Sequence, residues 1–446
     1  MRIFILSFFL FLAVFPSFSQ DGFQIKGDKC KVTIPFKLIN NLIFVPIKLN
    51  GEELTFLLDT GVEETVLFSL NVDSEVELNN IEVIKLKGLG DSESIDGYKS
   101  SHNELSVKQF FDKDHIVYIV LDQEFNFSSH VGIPVNGIIG YHFFKNHFIQ
   151  IDYQKKHLII FNNKYMKKEK LIKRYRKDSI SLELRKPYLY ENISSKGVKK
   201  HSKLLIDTGN SDAVWIFNHE KAEVPLPDIF LEDFLGRGFN GNVYGKRARI
   251  DYVEFGGHNF ENALTNFADS TSTKSVTFVN NRVGSIGGEI LSRFNLFFDY
   301  RNNAIYTQPN KKIDDLFNFN MSGIEVEHAG LEWIKEVENK SSDGISIFID
   351  SDGKNAYNNQ GRKENNAQFR LIPIFKIFSV RQNSEAEKAG LKKGDRILKI
   401  DGRSVERFTI QKIHELLRSE EGRVVEMVIE RNGMERLIRF KLKKIL

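Results

Sequence analysis

The tripeptide Asp-Thr-Gly occurs twice in this chain, each time closing an apolar run. Phe56-Leu57-Leu58 leads into Asp59-Thr60-Gly61, and Leu204-Leu205-Ile206 leads into Asp207-Thr208-Gly209. One copy constrains little, because strands commonly end in Asp-initiated turns. Here the surroundings repeat as well. Gly137-Ile138-Ile139-Gly140 and Phe148–Tyr153 follow the first copy, and Gly284-Ser285-Ile286-Gly287 and Leu296–Tyr300 follow the second. The motif aspartates are 148 positions apart (207 − 59), and the later Asp-Tyr pairs are 147 apart (299 − 152). A constant offset over such a span means one domain duplicated and fused, with a period far beyond the roughly 20–50 residues of solenoid repeats. Two such copies can bring two carboxylates face to face, where a shared proton activates water.

These residues resemble the retropepsin-like aspartic proteases, including bacterial members that carry a PDZ domain. The resemblance implies a mainly β fold of two barrel-like lobes followed by a PDZ domain, with lobe 1 over 30–163, lobe 2 over 178–310 and the PDZ domain over 317–446. It implies that Asp59 and Asp207 are catalytic. Thr60, Gly61, Thr208 and Gly209 would support the two loops, the threonines through hydrogen bonds across the pseudo-twofold axis. Neither a cofactor nor a metal is expected, and no His, Cys or carboxylate cluster has metal-ligand spacing. The scattered His142, His147 and His157 read as structural or exposed.

Each lobe carries a glycine-bearing stretch between its Asp-Thr-Gly and its later glycine. Gly88 and Gly90 mark the first, Gly236 and Gly238 the second. The resemblance suggests hairpin flaps over a substrate cleft, and glycine lets a hairpin tip approach a peptide backbone closely. Residues 236–241 also spell the nucleotide-binding G-x-G-x-x-G. The following residues read as strand, however, so no helix N-terminus awaits a phosphate.

The C-terminal third contains Ser384 through Gly402, with Ala389-Gly390-Leu391 and Gly394-Asp395, and this resembles the PDZ signature of bacterial proteases. Residues 409–418 read as an amphipathic helix through Ile410, Ile413, Leu416 and Leu417. Val424–Arg431, Asn432-Gly433 and Leu437–Leu442 read as a hairpin. In PDZ domains a C-terminal or extended peptide adds beside a strand along a helix. The candidate groove here is Gly323, Ile324, Val326 and Ile413. Polar residues 339–369 read as an insertion loop within the domain.

The resemblance implies a peptide or protein substrate as partner. A net charge of +4 over 446 residues argues against a dedicated nucleic-acid binder. The basic run at 164–177 reads as a solvated connection between lobes. The 38 phenylalanines sit largely in strand-like runs. Residues 1–20 have the basic start, short apolar core and small-residue end of a cleaved signal peptide, which predicts an exported, periplasmic or extracellular protein. No later stretch is apolar enough to span a membrane. Cys30 is the only cysteine, so no intrachain disulfide forms, and it reads as a buried small hydrophobe.

Some positions depart from the family pattern. Val62 and Asn210 follow the two motifs where a small or hydroxylated residue is usual, and Ser285 replaces an apolar residue. Glu63, Glu64 and Asp212 read as facing solvent. The leading functional reading is an exported aspartic endopeptidase whose PDZ domain recruits or regulates. The alternative is a non-catalytic peptide-binding protein that keeps the cleft. Pairing of lobes between chains is unnecessary once the repeat is fused.

Overall fold

The computed structural model describes residues 22–70, 76–86, 95–120, 127–164, 167–217, 219–238, 241–269, 279–340, 346–349, 355–358 and 364–446. The signal-like segment and both Gly88 and Gly90 lie outside these residues. The fold is mainly β, with two lobes followed by a PDZ domain.

The same construction delivers each Asp-Thr-Gly. In lobe 1, Leu42–Leu49 pairs antiparallel with Glu52–Leu58 through a tight turn at Asn50-Gly51, whose φ values are 50° and 98°. Two consecutive positive φ angles are what a two-residue hairpin demands, and Asn-Gly tolerates them. In lobe 2, Lys186–Ser195 pairs with Val198–Ile206 around Lys196-Gly197, at φ 51° and 73°. The second strand of each hairpin then pairs in parallel with the later hydrophobic-Gly segment. Leu57 and Leu58 lie opposite Ile138 and Ile139, and Leu205 and Ile206 lie opposite Ser285 and Ile286. Leu58, Ile139, Ile206 and Ile286 are all fully buried, so both motif loops spring from rigid strands.

A six-stranded sheet joins the lobes, in the order Arg176–Ser179, Ala304–Pro309, Phe294–Asp299, Phe148–Asp152, His157–Phe161, Lys31–Pro35. Its centre is the antiparallel pairing of equivalent strands from the two copies, with Ile149 opposite Phe298 and Ile151 opposite Leu296. The phenylalanines are used here. Phe148 stacks on Phe297 with centroids 4.5 Å apart, and both are buried. Each such ring contributes roughly 1.5–3 kcal/mol through burial.

Two surface expectations are corrected. Lys168, from the basic run, is not simply solvated: its ammonium pairs with Asp299 and lies 5.2 Å from the ring centroids of both Phe148 and Tyr306. Its aliphatic stem and charge both find partners on the inter-lobe sheet. Cys30 is exposed rather than buried, because it sits in the bend just before the edge strand Lys31–Pro35.

The PDZ sheet runs Ile324–Lys340, Glu364–Val380, Arg396–Ile400, Val424–Arg431, Met434–Lys441. Its helix, α2 below, is Ile410–Leu417, capped by the Thr409 hydroxyl accepting from Lys412 N–H. The polar 339–369 stretch differs from the loop expected. Asn339 and Lys340 pair with Asn365 and Glu364, continuing the ladder, and Ser346–Ile349 pairs with Asn355–Asn358. Ladder bonds are made by backbone, so polar composition does not prevent them.

Candidate active site

Each motif aspartate is held at the end of its strand by the same backbone bond. Asp59 N–H donates to Ile139 O and Asp207 N–H to Ile286 O, both at 2.9 Å. Gly61 N–H donates to Asp59 Oδ1 at 2.6 Å, and Gly209 N–H to Asp207 Oδ1 at 3.1 Å. The threonines cross-brace the loops. Thr60 N–H donates to Thr208 Oγ1 and Thr208 N–H to Thr60 Oγ1, each at 3.0 Å. Their hydroxyls donate onward to Ile206 O at 2.6 Å and Leu58 O at 2.8 Å. Both threonines are buried, so these four bonds hold the loops in a low-dielectric setting.

The two carboxyl groups meet. Each packs against the opposite motif's glycine. A Cβ placed on Gly61 would stand 2.9 Å from Asp207 Oδ1 and 3.0 Å from Asp59 Oδ1. Burial, then the charge of Asp207, pushes the Asp59 carboxyl up to about 8, against the opposing pull of Gly61 N–H and Lys186. Burial raises Asp207 too, opposed first by Arg282, then by Gly209 N–H and Lys186. The pair therefore holds a proton that isolated carboxylates would release.

Lys186 and Arg282 carried no motif signal, yet their positive charges act on the dyad. Lys186 begins the strand paired with the second motif strand, and Arg282 begins the strand on its other side. Arg282 stacks on Phe217 at 4.9 Å and on Tyr188 at 5.9 Å, which fixes its guanidinium beside Asp207.

The departures from the family pattern explain each other. Asn210 Nδ2 donates to Ser285 Oγ at 3.3 Å, while at the equivalent positions Val62 packs against the apolar cluster containing Ile138. One lobe uses a polar pair and the other an apolar pair. The acidic neighbours do not simply face solvent. Glu63 pairs with Arg185 at 2.7 Å and Glu64 with His142 at 3.5 Å. Asp212 accepts from Trp215 Nε1 at 2.9 Å and Asn266 Nδ2 at 2.6 Å, because the lobe-2 strands bury donors around it. His147 Nε2 donates to Phe23 O at 2.7 Å, so that histidine is structural.

Thr65, His115 and Asp112 form a hydroxyl–imidazole–carboxylate chain, with 2.7 Å at both steps. Their exposures are 0%, 3% and 6%, so no substrate reaches this triad and it joins strands instead. The lobe-2 glycines fall on a hairpin: Phe230–Gly238 pairs with Gly241–Arg249, and Gly236 borders a register shift. No helix follows Gly241, in agreement with the exclusion of a phosphate loop. Of the candidate groove residues, Ile324 and Val326 sit on the first PDZ strand and Ile413 on its helix, which pack together. Ile324, Val326 and Ile413 are 0%, 1% and 0% exposed, buried in the apolar core between sheet and helix, and Gly323 lies at φ +82° beside Arg381.

A cavity of about 780 Å³ contains both aspartates. Its walls come from lobe 1 (Val131, Tyr118), lobe 2 (Trp215, Leu235) and the PDZ domain (Val326, His414).

The pair's proton makes a stability prediction. Because folding raises the Asp59 pKa from 3.8 to about 8, the folded state keeps a proton that the unfolded chain has released. That stabilisation is fully present below pH 3.8 and is lost as pH rises through about 8. Asp59→Asn removes the share of this dependence that belongs to Asp59. Relative to the parent, the variant should gain thermal stability between pH 4 and 8, by at most about 1.4 kcal/mol per pH unit. Thermal unfolding at both pH values measures this, and a gap that fails to widen rejects the protonated pair.

Residues 45–143 match the family model for aspartyl proteases, and residues 377–431 match that for the PDZ domain. Over 69 residues, 16% of this chain, the sequence is 38% identical to a probable CtpA-like serine protease of Staphylococcus haemolyticus. That match spans 14% of the relative's length. The crystal structure of the aspartic proteinase from Irpex lacteus aligns with a TM-score of 0.40 and 10% identity, covering 64% of this chain and 99% of that one. The first family match takes in Asp59-Thr60-Gly61 together with its Gly137–Gly140 partner, and the second takes in Arg396–Ile400, the helix Ile410–Leu417 and Val424–Arg431. The chain therefore carries an aspartyl protease-like domain over residues 45–143 and a PDZ domain over residues 377–431.

Proposed function

We propose that the protein is an exported aspartic endopeptidase that hydrolyses peptide bonds with a water activated by Asp59 and Asp207. The observation that carries this reading is the meeting of the two motif carboxyls, each set against the opposite motif's glycine, between symmetric, cross-braced loops. The ionised member of the pair takes a proton from water as that water attacks the scissile carbonyl. The protonated member donates to the carbonyl oxygen and stabilises the tetrahedral intermediate. Collapse of the intermediate breaks the C–N bond, with a proton passing to the departing amine. Lys186 and Arg282 offset the remaining negative charge, which keeps one carboxylate ionised in a buried site. Gly236 and Gly238 lie on a hairpin suited to cover the substrate, and Leu235 and Gly236 line the cavity. The PDZ domain binds an extended or C-terminal peptide and thereby recruits or regulates. Export follows from the signal-like first 20 residues. Among the described residues, no helix is long and apolar enough to cross a membrane.

The test is an unbiased peptide library incubated with the purified mature chain from acidic to neutral pH, beside an Asp59→Asn control. Cleavage by the parent alone is the expected result. Peptide retention without cleavage at any pH would instead mark the protein as a binder.

A further inference from the structure

The edge of the PDZ sheet is already covered. Strand Ile324–Lys340 pairs on one side with Glu364–Val380, and among the described residues no strand pairs with its other edge. A short helix of lobe 1, α1 (Phe127–Val131), packs there, touching both that strand and α2. Gln411 Nε2 of α2 donates to Val131 O at 2.6 Å. Gly132, at φ +73°, lies so close to α2 that an added Cβ would stand 2.7 Å from Ile410 Cγ2. His130 sets its ring edge-on to Phe378 of the second PDZ strand, with centroids 4.9 Å apart. Sheet edge and helix flank are the two surfaces between which a PDZ domain receives a peptide.

We propose that α1 is an internal occupant of the PDZ groove, and that an extended peptide with an apolar C-terminal residue and a free carboxylate competes with it, unlatching the lobe-1 wall of the cleft. This rests on the reading of the domain as a peptide binder. The ligand class follows from what the groove offers. Its edge strand presents backbone groups, and its floor is Ile324, Val326 and Ile413. Arg381 stands against Gly323, where an added Cβ would be 3.3 Å from its Nη2, and that nitrogen has no hydrogen-bond partner among the described residues. A carboxylate satisfies it. The other guanidinium nitrogen, Nη1, donates to Asp233 of the lobe-2 hairpin at 3.4 Å, so the same arginine touches the second wall of the cleft.

The consequence for the dyad is mechanical. Val131 belongs to the apolar cluster that contains Leu57 and Ile138, the paired residues beneath Asp59. His130 and Val131 also line the cavity that holds both aspartates. A peptide that takes the groove therefore removes one wall of that cavity and loosens the packing under one motif strand. Competition with α1 reduces the apparent affinity of the groove by the fraction of molecules in which it is free.

The experiment measures binding and hydrogen exchange, neither of which requires turnover, on the full chain carrying Asp59→Asn. The probes are a fluorescein-labelled decapeptide ending in Ile-Val with a free carboxylate, and its C-terminal amide. His130→Ala weakens docking from the lobe side and leaves the groove chemically intact, and Gln411→Ala weakens it from the PDZ side. Each variant should bind the carboxylate probe about fivefold more tightly than the parent, the effect of about one hydrogen bond. The amide should bind more weakly throughout, and the carboxylate probe should speed amide exchange over residues 127–132. Equal affinity across parent and variants overturns the internal-occupant proposal while leaving peptide binding intact. No binding to any of them overturns both, and equal binding of acid and amide removes the carboxylate from the ligand class.

Discussion

Asp59→Asn and Asp207→Asn should each lower kcat/KM on a peptide substrate by roughly 10³-fold or more, and the double variant should be little worse than either. Asparagine preserves the side-chain shape, and its Oδ1 can still accept from Gly61 or Gly209 N–H, so the loops stay in place. What it removes is the exchangeable proton. With one amide in the pair, no arrangement both takes a proton from water and returns one to the carbonyl oxygen. The two losses overlap because both describe the failure of a single unit. Thermal unfolding beside the kinetics separates chemistry from folding, and the cross-braces from Thr60 and Thr208 are untouched in both variants. Near-parental turnover in either single variant, with the protein pure, would remove the dyad from the reaction.

The parts of the site legible in the sequence are those fixed by local backbone chemistry. A hydrophobic strand, an Asp-initiated turn and a glycine are neighbours in the chain, and their duplication marks the twofold pairing without any tertiary information. The Asn432-Gly433 turn and the repeated Gly137–Gly140 segment were readable for the same reason. Lys186 and Arg282 were not. Each stands at the start of a strand flanking the second motif strand, so its proximity to the dyad is a property of sheet order. Asp212 was misread because its partners, Trp215 and Asn266, come from neighbouring strands and make a near-surface carboxylate into an internal hydrogen-bond acceptor. Val62 and Asn210 looked like separate departures, and only the positions of Ile138 and Ser285 reveal them as alternative ways to fill the same space. The PDZ signature likewise located strands and a helix. It could not show that lobe 1 would lie against them, since α1 and α2 are separated by most of the chain.

Gly209→Ala should be far more damaging than Gly61→Ala, although the two glycines occupy equivalent places in the repeat. At Gly209 an added Cβ would fall 2.1 Å from both Cγ and Oδ2 of Asp59, an overlap no rotamer adjustment of a few tenths of an ångström relieves. Either Asp59 leaves the dyad or the second loop backs away, and the reciprocal threonine bonds resist the latter. At Gly61 the nearest atoms are the carboxyl oxygens of Asp207 and Asp59, at 2.9 and 3.0 Å, and small shifts accommodate them. Overpacking of a tight interior costs typically about 1–3 kcal/mol. For Gly209→Ala the upper end is expected, together with a loss of roughly 10²-fold or more in kcat/KM, since about 1.4 kcal/mol corresponds to a factor of ten in rate. Gly61→Ala should lose less on both measures. Parallel thermal unfolding and steady-state kinetics on the two alanine variants make the comparison. Equal losses, or a worse outcome at Gly61, would mean that the carboxyl pair does not sit against the second motif loop as described.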